Sequence, residues 1–200
     1  MHVLRILRYI WGENMRIEKL PLLGAAIIDA EPFTDHRGVF ARFFCEKELS
    51  ELIGGRHFVN VNFSRTLKKG AIRGLHFQRP PHAEMKLVRC IRGAVYDVIV
   101  DIRKSSPTFL KWFGIELSAE NMKMLCIPEG FAHGFQVLED NSEVIYLVTN
   151  FYSPKCEMGL NYADPLLEID WPLTVTDISE KDSMREMIDP KFGGISIRDS

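Results

Sequence analysis

Short runs in which apolar and polar residues alternate with a period of two dominate this chain, punctuated by Gly, Pro, Asn and Asp. In the clearest run Val95, Asp97, Ile99 and Asp101 alternate with Tyr96, Val98, Val100 and Ile102, the signature of a strand whose two faces meet different surroundings. Arg92-Gly93 stands just ahead of it and supplies a turn that would pair it with residues 86–91 as a hairpin. Comparable runs at 25–29, 39–44, 58–64, 111–117, 124–127, 134–138 and 144–149 predict further strands. Helical spacing is confined to 46–53 and 179–188, and the second stretch opens on Ser179 as an N-cap with acidic residues in its first turn. Many short strands, few helices and no internal repeat or Pro/Ser-rich linker predict an all-β barrel or double-sheet jelly roll. Only the segment after Trp171 reads as loosely attached.

Composition narrows the picture without changing it. With 200 residues, 46% of them hydrophobic and 26% charged, the chain can build one self-sufficient core. A net charge of −2 provides no basic field for nucleic acid. Cys45, Cys90, Cys126 and Cys156 are widely spaced and form no C-x-x-C pair, which reads as reduced thiols and a cytoplasmic protein. Residues 1–14 carry an arginine-interrupted apolar run too short to span a bilayer and lacking a signal-type cleavage region. They read as an N-terminal extension, with residues 15–200 as a single domain and no membrane association.

Candidate chemistry gathers around two histidines. Arg73 and His76 stand three apart in RGLHFQ, a spacing that sends them to opposite faces of a regular strand, and Gly74 between them permits a bulge that re-aims one. His133 lies in the similar context EGFAHGF. Taken singly, either is an ordinary structural histidine. Together with Arg73 and Lys86 they suggest a pocket for an anionic ligand inside the barrel. A catalytic metal would want an H-x-H pair on one strand, but each segment has a single histidine and His82 falls in a proline-rich turn. The chain also lacks a G-x-S-x-G elbow, a P-loop and a dinucleotide-binding glycine pattern.

A series of motifs in fixed order carries a family resemblance: Asp35-His36-Arg37-Gly38, residues 73–78 (RGLHFQ), 86–90 (KLVRC), 98–109 (VIVDIRKSSPTF), 117–121 (LSAEN), 127–135 (IPEGFAHGF), Asp164-Pro165 with 169–172 (IDWP), and 178–182 (ISEKD). Across roughly residues 16 to 185 the chain resembles the dTDP-4-dehydrorhamnose 3,5-epimerases. The resemblance implies a cupin-type jelly roll with a few short helices and a C-terminal helical segment folded back on the barrel. It also implies a homodimer, an isomerase working on a nucleotide-linked 4-keto-6-deoxy sugar, and no metal or organic cofactor.

The resemblance further implies roles at single residues. His76 becomes the base that takes a proton from carbon beside the ketone, Asp182 the carboxylate that orients it, and Tyr146 the acid on the opposite face. Arg73 falls at the pyrophosphate, Lys86 near the sugar ketone and His133 in the sugar pocket. Arg37, Asn60, Asn62, Glu157 and Lys181 fall at further substrate contacts, and Tyr152 at the ring that stacks on the base. Three positions depart from the family pattern: Arg42 stands in place of an acidic residue, Asn60 in place of glutamine, and Leu147 in place of lysine beside Tyr146. These departures put the base or sugar in question before the reaction. Two alternatives stay open: inversion at one carbon of another 4-keto nucleotide sugar, and a metal-dependent cupin chemistry.

Overall fold

The computed structural model describes residues 15–197, so the extension at residues 1–14 lies outside the described residues. Two antiparallel sheets face each other. The six-stranded sheet runs β1 (Met15–Lys19), β2 (Ala26–Ala30), β10 (Lys123–Ile127), β7 (Lys86–Arg92), β12 (Ser142–Val148), β5 (Asn60–Thr66). The five-stranded sheet runs β13 (Glu157–Gly159), β6 (Ile72–Gln78), β11 (Phe131–Val137), β8 (Ala94–Asp101), β9 (Trp112–Ser118). A separate hairpin pairs β3 (Phe33–Asp35) with β4 (Gly38–Phe40). This is the double-sheet jelly roll that the alternation predicts.

Between the sheets, Val88, Cys90, Leu125, Ile127 and Val144 from one side meet Val95, Ile99, Leu117, Phe131 and Val137 from the other. Each large apolar side chain buried there stabilises the fold by about 1.5–3 kcal/mol. Parts of the outer faces are covered too. Val98, Val100, Leu75 and Phe77 pack under Leu160, Leu167 and Ile188 of the C-terminal segment, while Ala26, Ile28, Leu87 and Cys126 pack under Leu49 and Ile53. Asp101 is fully buried at the end of β8, where it accepts from Ser106 and Thr108 at 2.6 Å each and pairs with Arg103 at 2.7 Å. Burial opposes its charge, but these bonds outweigh burial and hold its proton affinity below the usual carboxylate range. The Arg-Lys-Ser-Ser-Pro-Thr motif therefore serves here to turn the chain.

The structure corrects several predictions. The hairpin between residues 86–91 and 95–102 does not form, because β7 pairs with β10 and β12 while β8 pairs with β11 and β9. Gly93, at φ 69°, is a corner between the sheets, and Ser142 Oγ accepts from the Ala94 N–H beside it at 3.2 Å. The two helices are shorter than their spacing suggests: α1 is Ser50–Ile53 and α2 is Glu180–Ser183. Beyond α2 other elements take the backbone groups a longer helix would use, since Asn161 Nδ2 donates to Arg185 O at 2.7 Å and the Ile188 N–H donates to Asp164. The run at 39–44 is a strand only through Phe40.

Candidate active site

Backbone irregularity at β6 builds the site. His76 stands opposite His133 and Arg73 opposite Phe135, so two residues of β6, Gly74 and Leu75, face Gly134 alone. The extra residue is a β-bulge, and it turns both Arg73 and His76 to the cavity side while Leu75 and Phe77 point out into the second core. Glycine is required at the bulge. Gly74 has φ 133°, and a Cβ there would strike Gly134 Cα and come within 2.9 Å of His133 O.

A cavity of 390 Å³ opens between the sheets, lined by Arg73, His76, Lys86, His133, Tyr146, Glu157, Lys181 and Asp182, with Ser64 and Thr66 from β5. Its size suits a small ligand or part of a larger one. Asp182 reaches His76 from the far end of the chain because residues 177–183 dock on β6: the Ile72 N–H donates to Asp177 O at 2.9 Å and Ile72 bridges Ile178 in parallel. Ser179 caps α2 by accepting from the Asp182 N–H at 3.1 Å. His76 Nε2 and Asp182 Oδ1 are 2.6 Å apart, and Asp182 Oδ2 accepts from the Gly74 N–H at 3.3 Å. Burial of Asp182 opposes its charge, yet the His76 bond and charge, Gly74 and Ser179 together hold its proton affinity below the ordinary carboxylate range. The imidazole therefore faces an ionised partner.

A second such pair lies deeper. His133 Nε2 is 3.0 Å from both oxygens of Asp97, whose side chain is fully buried. In the sequence Asp97 carries one signal, a carboxylate on the inward face of a strand, where a charge needs a partner. Tyr146 projects from β12, and burial first, then the charge of Glu84, raise the proton affinity of its phenol. Glu157 accepts from Lys181 at 2.6 Å and from Tyr152 Oη at 2.5 Å.

The remaining candidates lie off the cavity wall. Asn60 and Asn62 share the face of β5 that carries Ser64 and Thr66 but do not line the cavity. Tyr152 is 62% exposed at the rim. Arg37 sits in the β3–β4 hairpin, paired with Asp35 at 2.6 Å, and Arg42 pairs with Glu48 at 2.6 Å; neither lines the cavity. Among the described residues no group of three His, Cys, Asp or Glu side chains is placed to hold a metal ion. None of their helices is long and apolar enough to cross a membrane.

A jelly roll whose cavity joins a carboxylate-held imidazole to a phenol and a buried ammonium fits the class of isomerases. Comparison with known proteins narrows it. The sequence profile of the dTDP-4-dehydrorhamnose 3,5-epimerases matches residues 19–189, and the chain belongs to that family. It is 47% identical to the dTDP-4-dehydrorhamnose 3,5-epimerase of Shigella flexneri over 84% of this chain and 93% of that one. The crystal structure of the dTDP-6-deoxy-D-glucose-3,5-epimerase of Legionella pneumophila in complex with dTDP-4-keto-L-rhamnose superposes with a TM-score of 0.84 at 40% identity, covering 93% of this chain and 100% of that one. The Bacillus anthracis dTDP-4-dehydrorhamnose 3,5-epimerase with TDP and PPi bound also gives 0.84 at 40% identity, over 87% and 99%.

Proposed function

We propose that this isomerase inverts C3 and C5 of dTDP-4-dehydro-6-deoxy-D-glucose to give dTDP-4-dehydro-L-rhamnose, a step of deoxysugar biosynthesis, working as a cytoplasmic homodimer with residues 15–200 as one domain. The observation that carries the reading is the 2.6 Å contact of His76 Nε2 with Asp182 in a cavity shared with Lys86 and Tyr146. With Nε2–H donated to the carboxylate, Nδ1 keeps its lone pair for substrate. That nitrogen takes the proton from carbon beside the ketone as the C–H electron pair moves into an enolate. Asp182 stabilises the imidazolium that forms, and the Lys86 ammonium stabilises the enolate oxygen. Tyr146 O–H then delivers a proton to the opposite face of the same carbon as the carbonyl re-forms. Solvent resets the imidazolium and the phenolate, and the cycle repeats at the second carbon. Arg73 suits the pyrophosphate, since its guanidinium lies at the mouth with Nε held by Thr66 Oγ1 at 2.8 Å.

Support for the dimer comes from the edge strand β5, whose outer face leaves Val61 67% and Phe63 57% exposed. Support for the cytoplasm comes from the four cysteines, all of them free. Deuterium wash-in tests the reaction. In deuterium oxide the wild type should exchange hydrogen at C3 and C5 of the 4-keto sugar, and His76→Ala should lose turnover by about 10²–10⁴-fold with little loss of binding. Exchange at C3 alone makes it a 3-epimerase, and absence of exchange makes it a binder. Activity abolished by a chelator would move the chemistry to a metal.

A further inference from the structure

Lys86 opens β7 with only 9% of its side chain exposed, and its Nζ lies 3.3 Å from Glu84 Oε1. An ammonium on a flexible four-carbon stem has many positions, and burial makes it costly wherever it lacks a counter-charge. Glu84 supplies that charge, and it is itself fixed from behind. Its other oxygen accepts from Gln78 Nε2 at 3.1 Å, and Gln78 is buried, with Oε1 accepting the Ser153 N–H at 2.7 Å. The contact with Glu84 is one of charge, and because Lys86 lines the cavity its N–H groups can meet ligand oxygens there.

We propose that Glu84, held by Gln78, is a positioning residue that fixes the Lys86 ammonium where the enolate oxygen develops. The inference rests on the role of Lys86 in the reaction set out above. The Gln78 amide joins the same carboxylate to the loop that carries Tyr152, since Nε2 also contacts Phe151 O at 3.2 Å.

A double-mutant cycle on Glu84→Gln and Lys86→Met tests the idea, with kcat, KM and thermal unfolding followed for all four proteins. Glu84→Gln should lower kcat by about 10-fold with KM nearly unchanged, the size typical of a lost orienting partner. Lys86→Met should cost about 10²–10³-fold. In the Lys86→Met background the Glu84 change should cost nothing further, because its effect runs through the ammonium. A fall of the same factor in both backgrounds overturns the inference, as does wild-type kcat in either single variant. If Glu84→Gln does not fold, Glu84→Asp keeps the charge but draws it back by one methylene; kcat must fall there too, again only when Lys86 is present. A wild type that leaves C3 and C5 unexchanged in deuterium oxide would instead refute the epimerase reading itself.

Discussion

Asp182→Asn changes one atom, and the structure shows why it should be felt. The two carboxylate oxygens accept from different donors, His76 Nε2 at 2.6 Å and the Gly74 N–H at 3.3 Å, in a side chain 5% exposed. An amide cannot serve both. If its NH₂ faces His76, the ring must take the other tautomer and present Nδ1–H to the substrate, which removes the lone pair the base needs. If its NH₂ faces Gly74, two buried donors oppose each other at a cost of about 1–3 kcal/mol. In either rotamer the negative charge that stabilises the imidazolium is gone. A loss of about 10²–10⁴-fold in kcat is expected, roughly 3–5 kcal/mol of barrier. Proton-NMR wash-in of deuterium reads the chemical step directly, and KM should stay close to wild type. The same substitution alters acid stability. Because the native carboxylate holds its proton less tightly than the unfolded one, Asp182 contributes stability above about pH 4 that is lost as pH falls through its lower native value. The variant should show a shallower loss of thermal stability on acidification. Turnover within about threefold of wild type would refute the reasoning, since 3–5 kcal/mol cannot hide in that interval.

Tyr146→Phe should retain exchange at carbon while product formation falls by about 10²–10³-fold, because the base still acts and the opposite-face donor is missing; parallel loss of both in wash-in and product assays would contradict this. Arg73→Ala should raise KM by about 10-fold or more and spare kcat, since a phosphate contact is made in ground and transition states alike; steady-state kinetics decide. Gly74→Ala should lower stability by more than ~2 kcal/mol in chemical denaturation, since its Cβ would run into Gly134 at a positive φ.

Period-two alternation made most strands legible, because the jelly roll buries a face of each strand and the apolar residues must recur at every second position. The same pattern is silent on partners. Arg92-Gly93 reads equally well as a hairpin turn or as a corner between sheets, and the corner is set by Ser142, nearly fifty residues away. The RGLHFQ spacing carried its own solution in Gly74, so the bulge that aims Arg73 and His76 together could be read locally. Asp97 could not, since its partner His133 belongs to β11 and only the sheet order brings the two strands together. The family's order of motifs pointed to Asp182, which no periodicity would have linked to His76. Helical spacing at 179–188 misled because side chains from residues 161 and 164 claim its backbone groups.

Asp182 lies 106 residues after His76. During synthesis the strands that close the barrel are all made before this carboxylate, so the base meets its charged companion only once the segment at residues 177–183 lies against β6. Turnover in such a protein reports more than chemistry: it registers that this segment has docked as well as that the sheets have formed.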